Sequence, residues 1–235
     1  MIKEALEYLV KLGNKDVVEV NGQAYATGSM NLLESPSART IDVRSLSGLI
    51  DYLKSNFDEL DNVLIQIESA TSVVAYSTLN DDYNRQKWIR ASALLPDFRF
   101  DSFYDSESFN IKLQSCFLDN DDRKIMLQVV GNIREEAVQT FGDDGVSQSV
   151  VARTGIAQVG DVKVPNPVML SPYRTFVEID QPESNFVFRM KEGAKCALFE
   201  ADSGAWELEA MDNIKDHLMR ELQDLIDSGD VHIIS

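Results

Sequence analysis

Basic residues are in short supply in this chain. It has 235 residues, of which 22 are Lys or Arg and 39 are Asp or Glu, giving a formal net charge of −17. Acids outnumber bases on both sides of Gly131, so the excess is spread along the chain and is not a tail. A surface of this sign repels DNA phosphates and anionic lipid, which disfavours nucleic acid as a partner. A DNA mimic would need long rows of carboxylates, and the longest acidic stretch, Asp119-Asn120-Asp121-Asp122, is short.

Metal-binding residues are equally scarce. A structural zinc site takes about four Cys or His ligands, and the chain holds Cys116, Cys196, His217 and His232, with no C-x-x-C pair. The two cysteines are expected to be reduced and buried. No apolar run approaches the ~18–20 residues needed to span a bilayer. The opening Met1-Ile2-Lys3-Glu4-Ala5-Leu6-Glu7 has acids where a secretory signal has bases. These features imply a cytoplasmic protein with no membrane segment.

Motifs for common chemistries are missing as well. The chain has no G-x-x-x-x-G-K-[ST], G-x-G-x-x-G or H-E-x-x-H, and no G-x-S-x-G elbow. Asp119-Asn120-Asp121 begins like a calcium loop, but Arg123 and Lys124 stand where an oxygen ligand and a turn glycine belong. No catalytic, cofactor or metal residue is assigned, and the balance is against an enzyme. Carboxylates alone can perform acid–base chemistry, so a metal-assisted hydrolase is the weakest of the readings that stay open.

The residues that are present spell out an α+β protein. Ile2, Leu6, Leu9 and Val10 recur at helical spacing, with Gly13 as a stop. Val17–Tyr25 reads as a hairpin around Asn21-Gly22, because Asn-Gly accepts the positive φ angles of a tight turn. Thr40–Val43 follows as a short strand, then a helix over about Ser45–Phe57. Val63–Glu68, Val73–Thr78 and Gln86–Leu94 form an antiparallel meander. Asp105–Phe117 is helical, while Ile125–Val130 suits either a helix or a strand. Ala137–Phe141 and Val146–Ala152 flank a Gly-Asp-Asp-Gly turn. Thr175–Ile179, Phe186–Met190 and Lys195–Glu200 read as a late meander. A helix over about Met211–Ile226 and a strand at Val231–Ile234 close the chain. Strands in runs, separated by helices, give α+β rather than a doubly wound sheet. One domain spanning 1–235 is expected, with a subdivision at 1–130 and 131–235 as the alternative.

Two places could bind something. Arg85, Lys87, Trp88 and Arg90 set three cations around an aromatic on a strand, an arrangement that stacks a base and holds a phosphate in single-strand binders. The plainer reading is a half-buried strand with Trp88 in the core. Tyr173 and Arg174 lie in the proline-rich stretch Val164–Pro182, which is expected to be extended, to present an aromatic and a guanidinium, and to wrap a neighbouring subunit.

Several stretches resemble a family of proteins encoded in the early regions of tailed phages and prophages of gut and low-GC bacteria. They are Ser45-Leu46-Ser47-Gly48-Leu49-Ile50-Asp51-Tyr52, Leu113-Gln114-Ser115-Cys116-Phe117, Val130-Gly131-Asn132-Ile133, Asp143-Asp144-Gly145-Val146-Ser147-Gln148 and Pro172-Tyr173-Arg174-Thr175-Phe176. The order of elements is also similar, more remotely, to the YfdQ-like prophage family. Neither resemblance supplies catalytic residues. What they imply is a phage early gene, a setting shared by recombination accessories and anti-defence proteins. Sequence and resemblance together point to a non-enzymatic, homo-oligomeric binding protein that acts on a host or phage protein or sequesters a ligand. A single-stranded nucleic-acid or recombination accessory is the alternative.

Overall fold

The computed structural model describes residues 2–13, 17–20, 23–26, 37–80, 83–131, 142–143, 148–149, 166–191 and 193–235. Its first element is the amphipathic helix α1 (Ile2–Gly13). The expected hairpin follows as β1 (Val17–Val20) and β2 (Gln23–Ala26), antiparallel from Val17 opposite Ala26 to Val20 opposite Gln23. The Asn21-Gly22 turn lies outside the described residues. Met1–Ser37 forms one compact unit and Ala38–Ser235 another, so Gly131 falls inside the second.

In the second unit, β3 (Ile41–Val43) leads into α2 (Leu46–Ser55), followed by β4 (Val63–Ser69), β5 (Ser72–Leu79) and β6 (Arg85–Ser92). The Ser45 side chain caps α2 by accepting the Gly48 N–H at 3.1 Å. Asn56 ends the helix in the left-handed region, with φ 46°. Phe57, the expected end of the helix, therefore falls beyond the stop and is 82% exposed. Next come β7 (Tyr104–Asp105), α3 (Ser106–Cys116), α4 (Asp121–Gly131), and the pair β8 (Gly142–Asp143) and β9 (Gln148–Ser149). The described part of that hairpin thus starts at Gly142, while Ala137–Phe141 lies outside the described residues. The chain continues with β10 (Val168–Leu170), β11 (Ser184–Lys191), β12 (Lys195–Glu200), α5 (Ala205–Glu221), α6 (Gln223–Asp227) and β13 (Val231–Ile234).

These strands make two larger sheets and confirm the α+β class. The five-stranded sheet has the order β13-β4-β5-β6-β3. Its centre is the antiparallel meander expected from sequence, and both edge strands join in parallel. One face carries Val63, Ile65, Ile67, Val73, Ala75, Ile89 and Ala91. It packs on Leu46, Leu49, Ile50 and Leu53 of α2 and on Ile214 and Leu218 of α5. Burying each of the Val, Ile and Leu side chains among them stabilises the fold by roughly 1.5–3 kcal/mol.

The four-stranded sheet, β10-β11-β12-β7, supports a second core. Phe186, Phe188, Cys196 and Leu198 meet Phe109 and Leu113 of α3 and Met126, Val129 and Val130 of α4. The spacing of those last three residues is helical, and the Asn120 side chain accepts the Arg123 N–H at 2.8 Å at the helix start. Ile125–Val130 is therefore helix, not strand. No helix among the described residues is long and apolar enough to cross a membrane.

The chain passes from the first core to the second after β6 and returns with α5. One further segment, 171–183, ties the two together. Pro172 forms a β-bridge with Phe117, and the Tyr173 N–H donates to the Cys116 carbonyl at 2.9 Å, on the side of the second core. Phe176 inserts into the first core. The Thr175 hydroxyl donates to the Ala70 carbonyl in the β4–β5 turn. Glu178 accepts from the backbone and hydroxyl of Ser47 at the start of α2, at 3.1 and 3.2 Å. Thr175–Ile179 is thus not the strand that its composition suggested. Nor is the described part of the proline-rich stretch free to wrap a neighbour, because it wraps its own chain.

Gln181 holds this tie in shape. Its Oε1 accepts the N–H groups of Arg174 and Thr175 at 3.0 and 3.3 Å, and its Nε2 donates to the carbonyls of Phe176 and Ile179 at 2.9 and 3.2 Å. Removing one buried side chain that serves four backbone groups leaves several of them unpaired. Gln181→Ala is expected to cost roughly 2–4 kcal/mol, measured as a lower urea midpoint.

Candidate functional site

The four residues singled out on β6 do not share one surface. β6 bulges against β5, with Ile89 opposite Ala75 and Lys87 opposite Tyr76, so Trp88 is the unpaired extra residue. Trp88 turns to the core face and packs against the first core. Lys87 stands on the opposite face, its Nζ 5.6 Å from the centre of the Tyr76 ring. Arg90 faces the same way, 3.6 Å from the Glu68 carboxylate. Glu68 also accepts from Tyr76 and Ser72, each at 3.0 Å. Burial, then the hydrogen bond and charge of Glu68, raise the Tyr76 pKa above its usual value. Arg85 donates to the Ser77 carbonyl at 3.0 Å. The aromatic that would stack a base is therefore separated by the sheet from Lys87 and Arg90, and Arg90 is already paired.

Arg174 is not presented to solvent either. It is only 6% exposed, while Tyr173 beside it is half-buried. The Arg174 guanidinium lies 4.0 Å from the centre of the Trp206 ring, 5.5 Å from Phe186 and 5.9 Å from Phe100, an aromatic box around a cation. Its Nη1 donates to Glu200 at 2.9 Å and its Nη2 to the Ser184 hydroxyl. Ser184 in turn donates to Asp202 at 2.5 Å. Burial lowers the Arg174 pKa, and the charges of Glu200 and Asp202 oppose that shift. The buried polar side chains among the described residues are Ser171, Arg174, Thr175, Gln181 and Ser184, all within the tie and the first residue of β11. Ser184 has its proton on a carboxylate and its lone pair on a guanidinium, which suits a lock rather than a nucleophile.

Other reactive groups have comparable structural employment. Cys116 and Cys196 are buried and unpaired in a disulfide. Burial, followed by the charge of Asp105, pushes the Cys196 thiol up to about 12, so it carries little thiolate at neutral pH. The Asp119–Asp122 loop is filled by its own cations. Arg123 donates to Asp119 and to the last carbonyls of α3 at Leu113 and Gln114, and Lys124 lies 3.1 Å from Asp121. Asn120 and Asp122 bind the carbonyl and N–H of Met169, completing the edge of β10. His217 shares a 2.9 Å contact with Arg220, and His232 is exposed on the edge strand β13. Among the described residues no group of three or more His, Cys, Asp or Glu could hold a metal ion.

Helix α1 carries an apolar stripe of its own. Ile2, Leu6, Leu9 and Val10 line one side of it, and their exposure runs from 56% at Leu6 to 81% at Ile2. Lys3 and Glu7 form an i,i+4 ion pair at 3.9 Å along one flank. The helical spacing read from these four residues is kept in α1. The sequence signals for the Arg174 lock were weaker, since Gln181, Ser184, Glu200, Asp202 and Trp206 follow no spacing rule. No protein-family model, curated protein or solved structure matches the chain.

Two outcomes follow. Arg174→Lys is expected to cost roughly 2–4 kcal/mol in urea unfolding, because an ammonium cannot reach Glu200 and Ser184 together while lying flat on Trp206. Trp88→Ala is expected to cost about 2–4 kcal/mol as a core truncation. An unchanged midpoint combined with loss of salt-sensitive single-strand DNA binding would instead make Trp88 a stacking platform.

Proposed function

We propose that the protein is a non-enzymatic binding protein that works as a homo-oligomer. In the setting that the resemblance implies, it is a phage accessory protein of the anti-defence type in the host cytoplasm, acting on a host or phage protein or sequestering a ligand. The observation that carries this reading is the apolar stripe of α1, in which Ile2, Leu6, Leu9 and Val10 share one side of the helix. Four large aliphatic side chains on one helical stripe are costly to leave in water and mark an interaction surface. The employment of Cys196, Ser184 and the acidic loop in the fold's own contacts fits a protein that binds rather than turns over.

Single-stranded nucleic acid is the second reading. Its support is the Tyr76–Lys87 pair, an aromatic and a cation on the same outward face of the five-stranded sheet. Against it stand Glu68, which occupies the Tyr76 hydroxyl and Arg90, and the net charge of −17.

Sedimentation over a concentration series tests the first reading. The mass is expected to rise above the 26.4 kDa of one chain with concentration, and more so at high salt, where repulsion between like-charged copies is screened. The double variant Leu6→Glu, Leu9→Glu is expected to stay at the single-chain mass. A wild-type chain that remains at 26.4 kDa at every concentration and salt overturns the reading.

A further inference from the structure

We infer that the β11–β12 pair binds the phosphate group of a small molecule through Arg189, Lys191 and Lys195. Phe186, Phe188 and Met190 of β11 and Cys196 and Leu198 of β12 belong to the second core. Strand alternation therefore puts Arg189 and Lys191, with Lys195, Ala197 and Phe199, on the other face of the four-stranded sheet. There Arg189 stands opposite Ala197, and Lys191 stands directly opposite Lys195. Like charges facing each other across an antiparallel pair destabilise it. A chain with 39 acids and 22 bases has acids enough to balance such a cluster. Over residues 189–195, however, three bases against Glu192 leave a charge of +2.

The fold does not neutralise this charge. Among the described residues, none of the three takes part in an ion pair. Asp105 stands opposite Lys195 on β7, but its carboxylate accepts the Ser108 N–H at 2.8 Å and caps α3. The Nη1 nitrogen of Arg189 is buried and has no hydrogen-bond partner among the described residues. Ala197 across from it has no side-chain acceptor to offer. A buried N–H without an acceptor is costly, so an oxyanion that reaches Arg189 gains a charge-assisted bond left unmade by the fold. Lys191 is held in place beside it, its Nζ 4.0 Å from the centre of the Phe103 ring, which meets Phe199 edge-on at 6.1 Å. A phosphate monoester carries roughly −1.5 to −2 at pH 7, which matches the local excess, whereas one carboxylate leaves part of it unmatched. The guanidinium suits its oxygens by paired N–H groups, and the two ammoniums act as point charges. A nucleic-acid strand would bring further phosphates against the net −17 of the chain, so the small ligand is favoured. This site does not depend on the oligomeric reading, and it gives the sequestering of a ligand a definite chemistry.

Calorimetric titration of the full chain with inorganic phosphate, at low salt and in a buffer free of other oxyanions, tests this. Binding is expected at one site per chain. Arg189→Gln and Lys195→Gln are each expected to weaken it roughly tenfold or more. Lys54→Gln on α2 makes the same change in charge and is expected to leave binding as it is. Urea unfolding without phosphate supplies a second readout. Lys195→Gln is expected to raise the midpoint, because it removes the like-charged pair with Lys191, although it makes the chain more acidic. A wild-type chain that takes up no phosphate overturns the inference, as does an equal loss of affinity from Lys54→Gln. A lower midpoint for Lys195→Gln with unchanged phosphate affinity makes that lysine structural and also overturns it. A short oligodeoxythymidylate that binds more tightly than phosphate, and is lost with the same two variants, gives the face to single strands and overturns the small-molecule assignment.

Discussion

A guanidinium taken out of water loses hydration worth several kcal/mol, and the second unit of this protein is arranged around meeting that loss at Arg174. Glu200 and Ser184 take hydrogen bonds from it, while Trp206, Phe186 and Phe100 offer ring faces to its flat sides. These partners come from different places: the loop before β7, two adjacent strands and the first turn of α5. One charged group therefore fixes the mutual position of four chain segments. A hydrophobic residue could fill the space, but it would not specify the angle at which Trp206 meets the sheet or the depth at which β12 presents Glu200. Replacement of buried ion pairs by apolar residues is often tolerated energetically, whereas removal of one partner is not. The lock consequently constrains arrangement more than it adds net stability.

The need for such a lock follows from the path of the chain. The first core takes strands from residues 41–92 and a helix and strand from 205–234, and the second core is formed by what lies between. Each core is completed only by segments far apart in sequence. The contacts that join them are correspondingly long-range, with Thr175 reaching Ala70 and Glu178 reaching Ser47. Loop-closure entropy opposes contacts of that span, so several simultaneous gains are needed to hold them. Segment 171–183 provides these in one stretch, with Phe176 buried in the first core, Gln181 closing its own backbone, and Arg174 anchored against the second sheet.

How much of this could be read from the sequence depended on whether the signal was local. The alternation of Val63, Ile65 and Ile67, the pairing of Val17–Val20 with Gln23–Ala26 and the row Ile214, Leu218 and Leu222 each express one neighbour relation, and the structure keeps all three. Thr175–Ile179 shows the limit. Its composition is that of a strand, yet Thr175 and Phe176 are both buried while Val177 is 69% exposed, because each side chain is placed by its own contact in the tie and no ladder holds them. Trp88 packs against the core, as the plainer reading had it. Alternation would put Arg90 on the same face as Trp88, and the bulge opposite Ala75 and Tyr76 separates them; a bulge has no reliable signature when no glycine marks it. Arg174 was legible as an unusual residue and illegible as a buried one, since its counter-charge stands 26 positions away on another strand.

Charge distribution links the fold to the proposed mode of action. Basic residues on the second unit that the sequence suggested for a ligand have partners within the protein, Arg174 with Glu200, Arg90 with Glu68, Arg85 with the Ser77 carbonyl and Lys87 with the Tyr76 ring. The acids exceed them, and that excess makes an encounter between copies unfavourable over most orientations. Helix α1 is neutral, so in the proposed oligomer it is the part of the chain where an approach between copies meets the weakest repulsion. Specificity can come from such a difference between surfaces, because repulsion over the rest of the chain penalises unselective contacts.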